Sequence, residues 1–136
     1  MLVFHHIGCL VENIEDSLGI YTKLYQTAPV SDKIFISSQG VYVCFIEMPG
    51  GGLMELVEPV DEDSIVARLK RKGFTYYHIG YMVADMDVAL AELDTMNFKF
   101  LSVFHSEAFN NRRCAFLYSP DMHLVELIEA ELGTLA

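Results

Sequence analysis

The chain has 136 residues, 52% of them hydrophobic, and a formal net charge of −10. This length suits a single domain whose core needs no disulfide or metal to hold it together. No apolar run approaches the roughly 20 residues of a membrane-spanning helix, and the first residues lack the basic and apolar segments of a secretion signal. The acidic charge disfavours nucleic acid, because such binding depends on Lys and Arg neutralising phosphates.

The first half of the chain predicts one strand, one helix and three further strands. Apolar and aromatic residues around a central histidine indicate a strand over residues 3–9. Asn13 is a favourable N-cap for a helix over 14–25, where apolar residues recur near the helical spacing of 3.6. Glycines and a proline then separate strands over about 34–38, 41–48 and 52–58.

A connecting helix is expected from the Asp61–Ser64 cluster to about Lys72, where Gly73 ends it. The second half then repeats the order of the first, with Asp85 as the N-cap of its helix. Its expected elements are a strand over 76–83, a helix over 86–96 and strands over about 99–104, 112–118 and 122–129. We expect the strand-end glutamates to point to water: Glu58, Glu129 and Glu131.

The two halves read as copies of one unit. Residues 4–14 and 76–86 share the pattern aromatic-x-His-Ile-Gly-x-x-Val-x-Asn/Asp-Ile/Met, and 54–58 matches 125–129 at almost the same offset. Each copy predicts a βαβββ order: repeat one over about 1–60, the connecting helix over about 61–73 and repeat two over about 74–131. One helix leaves a sheet face uncovered, so we expect the copies to pair into one open, cupped α+β pseudo-barrel around a shared cavity.

The cysteines indicate the redox compartment. They are odd in number, lie in apolar strand-like stretches and include no Cys-x-x-Cys pair: Cys9, Cys44 and Cys114. This usage favours buried, reduced thiols in a cytoplasmic protein over a disulfide framework or a sulfur-ligated zinc site.

Each copy carries one histidine in its first strand and one glutamate in its last: His6, Glu55, His78 and Glu126. A single strand histidine is more often a hydrogen-bonded core residue than a ligand. Around each glutamate, however, strand alternation places apolar residues on both faces, and burying an unpaired carboxylate would cost several kcal/mol. The duplication supplies partners, because two imidazoles and two carboxylates then converge. This donor set suits a divalent first-row metal.

With these motifs the sequence resembles the vicinal oxygen chelate superfamily, which includes glyoxalase I, methylmalonyl-CoA epimerase, extradiol dioxygenases and bleomycin- and fosfomycin-resistance proteins. The resemblance covers about residues 3–130 and is greatest to the epimerases and epimerase-like glyoxalases. It is carried by His5–Gly8, Gln39–Val41, Met54–Pro59 with Glu62–Ser64, Tyr77–Gly80, and Arg113–Leu117 with Leu124–Leu127. It implies a glyoxalase-like fold, one divalent ion (Zn, Ni, Co or Mn) on the four residues above, and a homodimer.

The resemblance also implies a reaction. Such enzymes are isomerases, epimerases or lyases that remove a proton next to a metal-bound carbonyl of a small thioester or hemithioacetal. Glu126 is the expected base, with Glu55 as the other candidate. Some epimerases have a second acid/base glutamate where this sequence has Val43. This difference weakens the epimerase interpretation, and it affects a glyoxalase-type isomerisation less. A loop before the seventh strand is expected to hold the substrate through Asn111, Arg112 and Arg113.

Two other functions remain open on the sequence. A metal-free protein of the bleomycin-resistance type would sequester a small molecule in the groove of a dimer, but those proteins lack the four ligands found here. An iron dioxygenase would use two histidines and one carboxylate, so Glu55 would occupy a position that oxygen chemistry needs. The metal content of the purified protein separates the first alternative from an enzyme.

Overall fold

A computed structural model gives the fold and describes residues 2–131. The elements in chain order are β1 (Val3–Leu10), α1 (Ile14–Tyr25), β2 (Ile34–Ile36), β3 (Val41–Glu47), β4 (Leu53–Pro59), α2 (Ile65–Arg71), β5 (Tyr76–Val83), α3 (Met86–Thr95), β6 (Lys99–Ser106), a 3-10 helix (Glu107–Phe109), β7 (Arg112–Tyr118) and β8 (Leu124–Glu129). The predicted α+β class and the two βαβββ repeats are confirmed. The sequence had not predicted the 3-10 helix. No helix within residues 2–131 is long and apolar enough to cross a membrane.

The strands form one sheet in the order β2-β3-β4-β1-β5-β8-β7-β6. The described residues divide into two compact units: the first unit comprises 6–77, and the second comprises 2–5 with 78–131. In both units the outer strands pair antiparallel, but β1 pairs with β4 and β5 with β8 in parallel. Parallel pairing therefore sets the histidine-bearing strand of each repeat directly beside its glutamate-bearing strand.

One helix covers one face of the strands in each unit. In the first unit α1 packs on alternate residues of β3 and β4, and in the second unit α3 packs in the same way on β7 and β8. Residues of the opposite parity on β4 are also buried, including Leu53, Glu55 and Val57. Both faces of this strand are thus removed from water, as the alternation around Glu55 predicts.

None of the three cysteines, which all lie within residues 2–131, forms a disulfide. Cys44 and Cys114 are buried as expected, whereas Cys9 is only half-buried. Burial raises the pKa of the Cys9 thiol, and the negative charge of Glu55 raises it further. Burial also raises the pKa of Cys44. These thiols are therefore poorer nucleophiles than an exposed cysteine.

Glu58 and Glu129 do not simply point to water, so the prediction was wrong for these two residues, whereas Glu131 is exposed. Glu58 Oε1 accepts a hydrogen bond from the backbone N–H of Ile14 at 2.8 Å, and Glu129 Oε2 accepts one from Met86 N–H at 2.6 Å. Each carboxylate thus satisfies an otherwise unpaired donor at a helix N-terminus and complements the helix dipole. Strand alternation gives the face on which a side chain lies, but it does not tell what covers that face.

Asn13 and Asp85 act as the predicted N-caps. The side chain of Asn13 accepts from Asp16 N–H at 2.9 Å, and that of Asp85 accepts from Val88 N–H at 3.0 Å. Together with the strand-end glutamates, each repeat therefore supplies two side-chain acceptors to the first turn of its helix. The same device in both repeats is a structural trace of the duplication.

We expect Glu129→Ala to lower the free energy of unfolding by about 1–2 kcal/mol at pH 7, because an N-terminal helix donor loses its acceptor. The hydrogen bond from Met86 N–H, and next that from Arg113, hold the pKa of Glu129 below its usual 4.5. The stabilisation is therefore complete above about pH 4.5 and is lost as the pH falls through the lower folded value. Urea unfolding from pH 7 to pH 3 measures it.

The exposed Glu92 on α3 provides the control. Glu92→Ala should change stability little at any of these pH values. An equal loss in the two variants, or a loss for Glu129→Ala that does not shrink in acid, would contradict the assigned role.

Candidate metal centre

In the first unit His6 and Glu55 lie on neighbouring parallel strands. Glu55 is the register partner of Gly8, two residues beyond His6. The His6 Nε2 atom lies 3.5 Å from Glu55 Oε1. The two residues are 0% and 3% exposed, so the pair is removed from water.

The second unit repeats this arrangement with His78 and Glu126. Glu126 is the register partner of Gly80, and His78 Nε2 lies 3.3 Å from Glu126 Oε1. These residues are 2% and 3% exposed. The duplication that the sequence predicts therefore extends to the geometry of the two pairs.

The geometry of each pair fits two ligands of one ion. Atoms that bind the same metal at about 2.1 Å lie about 3.0–3.4 Å apart for right-angle to tetrahedral geometry, close to the two separations found here. His6, Glu55, His78 and Glu126 are a buried His/Glu group that could hold a metal ion. Two imidazole nitrogens and two carboxylate oxygens suit a divalent first-row metal, as the sequence predicts.

A phenylalanine ring stands nearly perpendicular to each of these histidines. Phe45 lies 5.8 Å from His6 between ring centroids at an interplanar angle of 81°, and Phe116 lies 5.6 Å from His78 at 72°. Phe45 is also the register partner of Glu55, and Phe116 that of Glu126. The sequence analysis gave neither phenylalanine a role. Phe45 and Phe116 are separated in the sequence by the same number of residues as Glu55 and Glu126. This shared offset is the signal that would have identified them.

The three residues predicted to hold the substrate are not on one loop. Arg112 and Arg113 are the first residues of β7, which confirms the strand predicted over 112–118 and corrects the expectation that they lie on the loop before it. Strand alternation sends their side chains to opposite faces. Arg113 lies on the α3 face, where its guanidinium is 3.0 Å from Glu129 Oε2 and 3.3 Å from Asp87 Oδ1. These carboxylates raise the pKa of Arg113.

Arg112 lies on the other face of β7, the face that carries Phe116. Its Nη1 atom is buried and has no hydrogen-bond partner within residues 2–131. Asn111 is exposed in the preceding turn, with a left-handed φ of 60°. Of the three residues, Arg112 is therefore the one that shares a strand face with the wall of the site.

Val43 lies on the same face of β3 as Phe45 and is 1% exposed. The nearest acid on that face is Glu47, which is exposed at the end of the strand. The described part of β3 thus offers no buried carboxylate beside Glu55. Gln39, in the turn before β3, has a buried Nε2 atom without a hydrogen-bond partner in the same described range.

The sequence matches the family described as the glyoxalase/bleomycin resistance protein/dioxygenase superfamily over residues 5–116. The chain belongs to this superfamily, as the motifs indicate. No curated protein sequence matches it.

Solved structures share the fold over nearly the whole chain. A hypothetical protein from Bacillus halodurans is 25% identical, with a TM-score of 0.83 over 96% of this chain and 95% of that one. Methylmalonyl-CoA epimerase from Mycobacterium tuberculosis is 22% identical, with a TM-score of 0.81 over 95% and 88%. The Streptomyces coelicolor epimerase in complex with 2-nitronate-propionyl-CoA is 24% identical, with a TM-score of 0.78 over 96% and 99%. The predicted glyoxalase-like fold is confirmed.

We expect Arg112→Met to raise the free energy of unfolding of the metal-free, ligand-free protein by about 1 kcal/mol. A buried donor without an acceptor costs about 1–3 kcal/mol, and Met removes it while keeping an unbranched side chain. Arg113→Met is the matched comparison, and it should lower stability because it breaks the ion pairs with Glu129 and Asp87. Urea titration measures both. A loss of stability in Arg112→Met would show that its guanidinium is satisfied.

Proposed function

We propose that His6, Glu55, His78 and Glu126 together bind one divalent first-row metal ion. We further propose that the chain is a metal-dependent isomerase, epimerase or lyase that removes a proton next to the carbonyl of a small thioester or hemithioacetal. The observation that carries the proposal is the buried His–Glu pair that both units have at matched positions. Membership of the superfamily and the likeness to methylmalonyl-CoA epimerases support it.

A shared divalent metal would satisfy the charge balance of this site. Two buried carboxylates need compensating positive charge, because desolvation of an uncompensated charge costs several kcal/mol. One divalent cation balances both carboxylates while both imidazoles stay neutral, which is the form in which imidazole binds metals. Two carboxylates and one divalent ion therefore leave the interior neutral.

When bound, the metal supplies Lewis-acid stabilisation of negative charge that develops on a substrate oxygen. The chain supplies the base. A carboxylate oxygen of Glu126 takes the proton from the substrate carbon, with Glu55 as the alternative, and such general base help contributes about 10²–10⁴-fold. Glu126 is 3% exposed, and Phe116 of β7 is its register partner.

The direction in which the proton returns separates the two reaction types. In an isomerisation, the glutamate that took the proton can deliver it to the neighbouring carbon on the same side of the substrate. Epimerisation needs an acid on the opposite face, and the buried Val43 supplies none. The strand β3 therefore favours a glyoxalase-type isomerisation over epimerisation.

Arg112 is proposed to bind an anionic group of the substrate. It lies four residues from Phe116 on the same strand face, about 13 Å along a strand that rises about 3.3 Å per residue. A carboxylate or phosphate at the end of the substrate remote from the reacting carbon would accept from the unpaired Nη1 atom. Asn111 is proposed as its neighbour in the turn, whereas Arg113 would first have to leave Glu129 and Asp87. This spacing suits an elongated thioester or thiol adduct.

We also propose a homodimer, which the family resemblance implies.

Metal binding tests the shared site directly. We expect the chelator-treated chain to bind one Ni²⁺, Co²⁺, Zn²⁺ or Mn²⁺ ion per chain, with affinity that falls as the pH falls because protons compete for the ligands. His6→Ala and His78→Ala should each weaken binding at least tenfold. Isothermal titration calorimetry measures affinity and stoichiometry. Two ions per chain, or a loss confined to one of the two variants, would contradict a shared site. No binding at all would favour metal-free sequestration.

Activity tests the reaction and the base. The metal-loaded chain is assayed for hydrogen exchange at the 2-position of methylmalonyl-CoA, and for lactoyl-thiol formation from methylglyoxal with several thiols. Glu126→Gln should lower kcat at least about 10²-fold with a smaller change in KM. The exposed Glu47→Gln is the control and should keep the activity of the parent. A fully active Glu126→Gln would remove this residue from the role of base.

A further inference from the structure

Two phenylalanines beside the proposed ligands have no chemical part in the proposed reaction. We infer that Phe45 and Phe116 are positioning residues, which fix the planes of the His6 and His78 imidazoles before a metal binds. This inference rests on the metal site proposed above. It concerns how the ligands are held and not which ion or substrate they meet.

An imidazole needs outside contacts to fix its orientation. The torsion that turns the ring about its bond to Cβ has a broad, roughly two-fold preference, so burial alone leaves two ring orientations. A half-turn of the ring moves Nε2 away from the position where it meets the carboxylate. A neighbouring aromatic ring in a near-perpendicular arrangement is favourable beyond the area that it buries, and it obstructs that rotation.

The same contact is built twice from equivalent positions. In both units the phenylalanine is opposite the ligand glutamate on the next strand, and its ring is nearly perpendicular to the ligand histidine. A single such contact would be ordinary packing of a buried ring. Its recurrence beside both His–Glu pairs links it to the geometry of those pairs.

The second unit supports its ring with another. Phe104 of β6 stacks on Phe116, with centroids 5.1 Å apart and an interplanar angle of 27°. Movement of Phe116 away from His78 is therefore opposed by a third ring. A graded result follows: Phe104→Leu should affect metal binding in the same direction as Phe116→Leu but to a smaller extent.

The chain contains its own control. His5 and Phe109 form a ring contact of nearly the same geometry, with centroids 5.5 Å apart and an interplanar angle of 81°. Both residues are buried, and His5 is not one of the four proposed ligands. Phe109→Leu therefore removes an equivalent aromatic contact, and the stability it gives, from a histidine that is not a proposed ligand.

The experiment measures the dissociation constant of Co²⁺ or Ni²⁺ by competition with a chelating dye, together with the visible absorption spectrum of the Co²⁺ form. Residues that orient metal ligands typically contribute 10–100-fold to affinity. We expect Phe45→Leu and Phe116→Leu each to weaken binding about tenfold and to alter the Co²⁺ spectrum. Phe109→Leu should keep the affinity and spectrum of the parent. Phe45→Met and Phe116→Met replace any Leu variant that does not fold.

Different results would overturn the metal site and the positioning role of the two phenylalanines. A parent chain that binds no ion overturns both. A parent that binds one ion, with Phe45 and Phe116 variants that bind it equally well, overturns the positioning role alone. The role is also overturned if Phe109→Leu weakens binding as much as the other two, since the effect then reflects general destabilisation.

Discussion

The parallel pairing of the first and last strand of each repeat determines which side chains of the candidate metal centre become neighbours. Parallel neighbours cannot be joined by a tight turn and need a long crossover connection. Here that connection consists of one helix and two antiparallel strands, which then cover one face and extend one edge. The pairing sets β1 beside β4 and β5 beside β8. A histidine on one strand and a glutamate on the next thereby become neighbours, far apart in sequence but fixed in register.

Burial makes these neighbours chemically significant. Along β4 and β8 both strand faces are covered, so each glutamate lies among apolar side chains. A carboxylate in such a place raises the free energy of the fold unless a positive charge or donors compensate it. The two units each contain such a carboxylate, and each has an imidazole within 3.5 Å of it. Both units thus keep a buried carboxylate beside an imidazole at matched positions, and buried ionisable pairs of this kind are typical of sites kept for function.

Much of this fold could be predicted from the sequence because its signals are local. Asn13 and Asp85 mark helix starts, and the alternation of apolar residues marks the strands. The four ligand residues could be predicted because the repeat identifies them in pairs and strand parity shows that Glu55 and Glu126 are enclosed. These inferences need only the neighbouring residues and one internal comparison.

The remaining features depend on contacts between distant segments. Parity alone cannot tell that α1 begins above Glu58, so its hydrogen bond to Ile14 was missed. The strand predicted over 112–118 is confirmed, but only its pairing with β6 shows that Arg112 and Arg113 lie in the sheet and not in the expected substrate loop. Phe45 carries no chemical signature that distinguishes it from other apolar residues, and only its position against His6 shows its role.

The equivalent strands β3 and β7 differ in a way that bears on how such a module changes its substrate. On the face that carries Phe45 and Phe116, Val41 of β3 corresponds to Arg112 of β7, and Val43 corresponds to Cys114. The neighbouring strands β4 and β8 keep both the ligand glutamate and, three residues later, the glutamate that binds the helix N-terminus. Each of β4 and β8 thus carries both a proposed ligand and the acceptor for a helix N-terminus, whereas β3 and β7 differ from each other at two positions of the face that carries the phenylalanines. After the duplication the ligand strands β4 and β8 stayed alike, while β3 and β7 diverged. The face that carries the phenylalanine is apolar on β3, whereas on β7 it also carries the cation of Arg112.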